Sequence, residues 1–294
     1  FLQQSCGGNV GAKTHTVSCW ARSTNGGVDQ TFRLKCTHSG VTDFYSDNKT
    51  ATSEWKRFTF TTTFISASNT AVIAGVVEDS STNQFDIEVW GMQVEFDASF
   101  PTSYIPTSGS TVTRAADFAS LPLERFAYNQ KKGTVVVNAE YFSTTNNVRF
   151  WEISNNTSDN FMAMYKQTPT SIAGYIATSS QQVFLQTVVS SSVIGTNYKL
   201  ALAFATNNTT STADGNSVVV DTSSLIPTVT KLHIGQRGHG NQFTLNGHIK
   251  HIQYYPKRLS NTELQLLTQP SASPTMNLTF DGQATSTLVE GLHD

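Results

Sequence analysis

Strict alternation of side-chain character over Glu54–Phe64 constrains this chain more than any other feature. Phe58, Phe60, Thr62 and Phe64 share one parity, and Arg57, Thr59, Thr61 and Thr63 share the other. A period of two fits an antiparallel strand with one face on a core and one face in water. Val17, Cys19 and Ala21 alternate in the same way with Thr16, Ser18, Trp20 and Arg22. So do Phe32, Leu34 and Cys36 with Thr31, Arg33 and Lys35, while Asn69–Glu78 is a Val/Ile/Ala run bounded by polar loops, as in a buried strand. Gln84–Phe96 changes parity midway: Phe85, Ile87 and Val89 hold one phase, and Met92, Val94 and Phe96 hold the other. The flip at Trp90-Gly91 predicts a β-bulge or a bend, with one long strand serving two edges of a sandwich.

After Phe96 the texture changes. Phe100–Gly109 carries two prolines, a glycine and small polar residues, and reads as an extended, semi-rigid connector whose aromatic residues pack on a neighbour. A second region opens near Arg114. Its expected strands are Gly133–Phe142, Val148–Ser154, Phe161–Lys166, Ser171–Ala177, Val183–Val189, Tyr198–Ala205, Ser217–Val220, Lys231–Gly235 and Gly247–Tyr255, with Asp214-Gly215 as a tight turn. One helix is expected, Asn261–Leu267, opened by the Ser260/Glu263 capping box and a Leu259–Leu264 staple. Beyond Thr268, Gln269–Pro274 reads as a linker and Met276–Phe280 as one further strand. Cys6, Cys19 and Cys36 fit no disulfide framework or zinc spacing, and read as small buried hydrophobes. A Cys6–Cys19 or Cys19–Cys36 bridge is the alternative. The chain opens on Phe1 with sequence typical of a domain interior, so it is expected to be processed or part of something longer.

Composition then excludes whole classes of partner. Charged residues are 14% of the chain, the net charge is −2, and Ser and Thr make up about a quarter. No basic stripe is available to neutralise phosphates, so no nucleic acid is expected. No apolar run approaches the ~18–20 residues of a membrane-spanning helix, and no basic amphipathic helix is present, so no membrane insertion is expected.

The polar chemistry is sparse. Glycoside hydrolysis needs two carboxylates flanking a scissile bond. Asp86 and Glu88 share a strand face, and Glu95 and Asp97 lie near its exit, but each pair reads as a solvated face, so no catalytic residue is assigned. His248 and His251 are three apart on an expected strand, which points them to opposite faces and away from a shared metal. No metal-binding residue is assigned, and nucleophile elbows and phosphate loops are absent. Sugar binding leaves another mark: indole or phenol rings that stack on the apolar face of a pyranose, with polar groups that read its hydroxyls. Trp20, Tyr45, Trp55 and Trp90 are candidates for this role, and Trp20 is the most informative because it lies opposite the apolar parity of its strand. Trp90, at the bulge, reads as structural. In the second region the glycine-flanked loop bearing Arg237, His239 and Asn241 is a candidate polar contact.

Trp90–Glu95, Phe100–Thr107 and Thr113–Asp117 together resemble a junction found in bacteriophage virion proteins. Asn246–Lys250 and Tyr254–Leu264 resemble the end of the domain that follows it there, and His15–Ser23 an early strand of the domain before it. The resemblance implies an all-β fold of two tandem β-sandwiches, a carbohydrate-binding-module-like jelly roll over residues 1–99 and a concanavalin A-like (laminin G-like) sandwich over 113–268. Residues 100–112 would link them, 269–294 would form a C-terminal extension, and one short C-terminal helix would close the second. It implies a tail or capsid-fibre protein, located in the virion, that adheres without catalysis to host surface glycans. Other virion proteins would be its partners and a homotrimer its state. Two alternatives stand beside this: a purely structural virion protein, and a polysaccharide-degrading enzyme. The Glu-x-Asp-x-x-Glu of concanavalin A-like enzymes is not present. No cofactor is required, although laminin G-like domains often hold calcium, for which Asp117, Asp159, Asp214 and Asp281 are loop carboxylates.

Overall fold

The computed structural model describes residues 2–6, 13–38, 43–64, 72–79, 85–240 and 242–270. The expected strand at 276–280, the linker beyond Pro270 and Asp281 lie outside the described residues. The chain divides into two compact units, Phe1–Ala115 and Ala116–Asp294, and both are built of antiparallel sheets.

The first unit contains β1 (Leu2–Cys6), β2 (Thr14–Ser23), β3 (Gln30–His38), β4 (Phe44–Tyr45), β5 (Lys49–Ala51), β6 (Lys56–Thr63), β7 (Val72–Glu78) and β8 (Ile87–Phe96). One sheet runs β1-β7-β3-β4, with β5 also on β3, and the other runs β6-β2-β8. The alternating apolar residues of both sheets meet in one interior. Cys19 and Ala21 of β2, Phe58 of β6 and Val89 of β8 pack against Phe32, Leu34 and Val76 of the larger sheet. Phe32 and Phe58 meet edge to face with ring centroids 5.0 Å apart, and Phe32 is fully buried. Phe60 is only partly buried because β6 is an edge strand. All three cysteines are free. Cys19 and Cys36 are buried, and burial pushes both thiols up to about 12.

The parity flip in β8 is a bulge. Ser18 pairs with Gln93 and Trp20 with Trp90, so Gly91 and Met92 together face Cys19. Gly91 has φ +63°, a left-handed conformation that glycine adopts without the Cβ penalty. β8 does not serve two edges of the sandwich. It pairs with β2 along its whole length, because the extra residue and the parity flip cancel and keep Ile87, Val89, Met92, Val94 and Phe96 on one core.

The connector is anchored to the outer face of this strand. The Glu95 carboxylate accepts the Thr102 backbone N–H at 3.0 Å and the Thr102 hydroxyl at 2.6 Å. Gln93 Oε1 accepts the Ile105 N–H at 2.9 Å, and the Tyr104 ring lies 4.9 Å from that of Trp90. Glu95 is therefore an anchor rather than part of a solvated pair, and Asp97 is held by Lys13 at 3.0 Å.

The second unit contains β9 (Ala119–Pro122), β10 (Lys132–Tyr141), β11 (Arg149–Ser154), β12 (Phe161–Thr168), β13 (Ser171–Thr178), β14 (Gln181–Val189), β15 (Asn197–Ala205), β16 (Thr210–Ala213), β17 (Lys231–Ile234), β18 (Gly247–Tyr255) and α1 (Asn261–Thr268). The sheets β16-β15-β10-β18 and β14-β13-β12-β11-β17-β9 enclose a core that includes Tyr141, Phe150, Trp151, Ile153, Met162 and Phe204. Leu259 and Leu264 seat α1 on Val136, Ala201 and Ala203, on the outer side of the smaller sheet. Both capping-box bonds form: Glu263 N–H to Ser260 Oγ at 3.2 Å, and Ser260 N–H to Glu263 Oε2 at 2.7 Å.

Two expectations fail here for identifiable reasons. Residues 217–220 are not a strand. The tight turn at Asp214-Gly215 forms, but the carbonyl of Val219 is taken by side chains, the Gln186 amide at 3.1 Å and the Thr210 hydroxyl at 2.6 Å. Gln186 Oε1 also accepts Ser211 N–H at 2.7 Å, so one side chain clips an edge of one sheet to an edge of the other. Secondly, His248 and His251 lie on the same face. They pair with Glu140 and Asn138, and a bulge that inserts Lys250 between Ile249 and His251 restores the parity that odd spacing would break.

Replacing Phe32 with Ala is expected to cost ~3–5 kcal/mol, read as a lower urea midpoint. Ser260→Ala is expected to cost ~0.5–2 kcal/mol and to increase hydrogen exchange over 261–264. The Ser260 backbone N–H, and then its hydroxyl, hold the Glu263 carboxyl below its ordinary range. A depressed folded-state pKa gives stability that is complete above the unfolded value and lost as pH falls through the folded one. The carboxylate's share of the cap therefore fades on acidification, and titrating the Ser260→Ala difference against pH checks this.

Candidate functional site: an indole trough on the first unit

The outer face of the β6-β2-β8 sheet carries the residues whose parity opposes the core. Register places Trp20 directly beside Trp90, and Arg22 beside Glu88. Trp55 immediately precedes β6 and packs with its ring 5.0 Å below the Arg22 guanidinium carbon. Trp20, Trp55 and Trp90 line a concavity of about 460 Å³, within the ~300–1,000 Å³ range of small-ligand sites. Trp90 is 55% exposed and Trp55 42% exposed, and Trp20 forms a half-buried floor.

Hydrogen bonds fix the rim. Arg22 Nε donates to Glu88 Oε2 at 2.7 Å, and one Nη of the same ion pair lies 2.7 Å from that oxygen. Arg57, paired with Trp20 on the other side, donates to Ser18 Oγ at 2.9 Å. Beyond that row, Thr16 and Thr61 share a hydroxyl contact at 2.8 Å. The connector covers Gln93 and Glu95, and Tyr104 stands against Trp90 on that side. A Cβ at Gly91 would make ordinary contacts, 3.4 Å from Tyr104 and 3.5 Å from Trp20, so it is the positive φ of the bulge rather than space that favours glycine there.

The structure thus brings Trp20 and Trp55 together with Trp90, the candidate whose place at the bulge favours a structural role. The signal for Trp90 was present: it shares the outward parity of Glu88, and only its position at the bulge argued otherwise. Tyr45 belongs elsewhere, on the outer face of the other sheet. There its hydroxyl donates to Asp43 at 2.7 Å and Arg33 stacks over its ring at 4.7 Å.

Arg237 and His239 lie in the second unit, and Asn241 is outside the described residues. Their loop is pinned from below. Glu152, 1% exposed, accepts the Gly238 N–H at 2.9 Å and Arg149 Nε at 3.1 Å. Arg149 is sandwiched by Phe161 and Tyr165, and its pKa is pulled down by burial, against the pull of Glu152. Beside Glu152 in register, His233 bonds Asn156 at 2.9 Å, and burial lowers its pKa. Arg237 packs over Phe243, and His239 is exposed. These contacts hold the loop in place.

Among the described residues, no three His, Cys, Asp or Glu side chains are grouped to hold a metal ion. Asp214 accepts the Lys199 N–H, and Asp159 the hydroxyls of Ser158 and Ser180. No described helix is long and apolar enough to cross a membrane.

No protein-family model matches the chain, and no curated protein matches it in sequence. Among solved structures it is similar to the Ruminococcus gnavus IT-sialidase CBM40 bound to α2,3 sialyllactose, with TM-score 0.46 and 13% identity over 54% of this chain and 96% of that one. The leech intramolecular trans-sialidase gives TM-score 0.45 and 17% identity over 54% of this chain and 27% of that one. A heptameric SAP-like pentraxin from Limulus polyphemus gives 0.39 and 13% over 53% of this chain and 78% of that one.

Proposed function

We propose that the first unit binds glycans without turning them over, through the Trp20–Trp55–Trp90 trough. The observation that carries this is three indoles gathered on the solvent side of a sheet whose other side already supplies the core. Exposed aromatic residues converging in one place mark interaction sites. Indole faces suit the apolar face of a pyranose ring, and the polar residues around them suit its hydroxyls. The site is shallow and each contact is weak, so useful adhesion requires many copies held together, where effective concentrations reach the mM range for short tethers.

The junction and terminal motifs described above support a setting for this binding: a tail or capsid fibre of a phage virion, assembled as a homotrimer with other virion proteins, its ligand a host surface polysaccharide. The reading requires neither a cofactor nor a catalytic acid.

The test is binding of the chain, displayed multivalently on beads, to an array of bacterial surface glycans. A few related sugars are expected to bind, and Trp20→Ala or Trp90→Ala is expected to weaken retention by about tenfold or more, as for an anchor aromatic. Silence across the array would move the trough to a contact between virion subunits. Reducing ends released from a bound polysaccharide would make the protein an enzyme. Intrinsic fluorescence gives a second readout, because three of the four tryptophans line the trough and Trp151 is fully buried.

A further inference from the structure

We propose that Glu88 sets the specificity of the trough: by holding Arg22 in an ion pair at the rim, it confines the site to neutral sugar chains and excludes anionic ones. This rests on the glycan-binding reading above. The floor is wholly indole, so charge selection falls to the rim. Arg22 is the natural reader of a carboxylate or sulfate. A guanidinium is a planar donor matched to such groups, and this one is fixed over Trp55 and 40% exposed along its side chain.

One edge of that guanidinium is already engaged. Nε and an Nη both point to Glu88 Oε2 at 2.7 Å, and the two residues are register partners on adjacent strands, so the pair is set by the sheet itself. The second guanidinium flanking the floor, that of Arg57, is turned to Ser18. An acidic sugar entering the trough must compete with Glu88 for Arg22 and lie beside a half-exposed carboxylate. A neutral ring meets neither obstacle. The ion pair has little else to do: exposed pairs contribute little to folding stability, so its removal leaves the sheet intact.

The test uses the full chain in affinity gels that contain neutral polymers (galactomannan, mixed-linkage β-glucan) or anionic ones (alginate, polysialic acid, dextran sulfate). Wild type is expected to be retained by a neutral polymer alone, with retention unaffected by added salt. Glu88→Gln is expected to gain retention in an anionic polymer, by roughly tenfold as for one new charge-assisted hydrogen bond. Salt should abolish that gain, and so should adding Arg22→Gln. An unchanged unfolding midpoint for Glu88→Gln confirms that the sheet is intact. Wild-type retention in anionic gels that Trp20→Ala removes would overturn the role of Glu88 while leaving the trough as the glycan site. Absence of any gain in Glu88→Gln would also overturn it. No retention of wild type or variant in any gel would overturn the glycan reading and this inference with it.

Discussion

One inserted residue organises the first unit. A strand can bury only one parity, and a single-residue slip sends every later side chain to the wrong face. In β8 the slip is present in the sequence and is cancelled in the backbone, because Gly91 and Met92 together oppose Cys19. Core contacts then continue without a break from Ile87 to Phe96. On the other face the same bulge sets Trp90 beside Trp20 and aims Gln93 and Glu95 at the connector. The trough and the strap that borders it are therefore two results of one backbone feature.

The second unit meets a different constraint. Its interior takes in polar and charged groups, which cost several kcal/mol each unless paired. Lys166, 1% exposed, donates to the carbonyls of Thr144 and Thr145 and lies over the Tyr141 ring. Gln186 satisfies Ser211 and Val219 at the open edge of the sandwich. The Arg149–Glu152 pair spends its remaining acceptor on the Gly238 N–H. In each case the polar group fastens a loop or an edge strand, which accounts for a polar layer outside an otherwise apolar core.

The regular parts of this fold were legible in the sequence because period-two patterning reports burial directly. The strands at 14–23, 132–141 and 171–178 follow it, and the capping box at Ser260 is legible from its own spacing. What was not legible depended on partners distant in sequence. Ser217–Val220 has the composition of a strand, but Gln186 and Thr210 take its carbonyl. His248 and His251 share a face only because Lys250 bulges out opposite β10. β9 and β16, four residues each, are too short to show a period. The site divides in the same way. Trp20 is revealed by its parity and Trp90 by the parity it shares with Glu88 ahead of the bulge, whereas Trp55 lies just outside a strand and has no parity to read.

The two ends of the β6-β2-β8 outer face show why the indoles stay uncovered. At the end bearing Thr16, Thr61 and Glu95 the face offers hydrogen bonds, and the chain that leaves β8 takes them: the Thr16 hydroxyl bonds the Ala98 carbonyl and the Glu95 carboxylate accepts from Thr102. A peptide segment settles there because its backbone N–H groups find acceptors. At the other end the face offers indole and an ion pair that is already satisfied. Such a surface gives a backbone no partner for its amides. It suits a flat molecule with an apolar face and hydroxyls at its edge, whereas the chain's own strap bonds Gln93 through the Ile105 N–H and borders that surface with the Tyr104 ring.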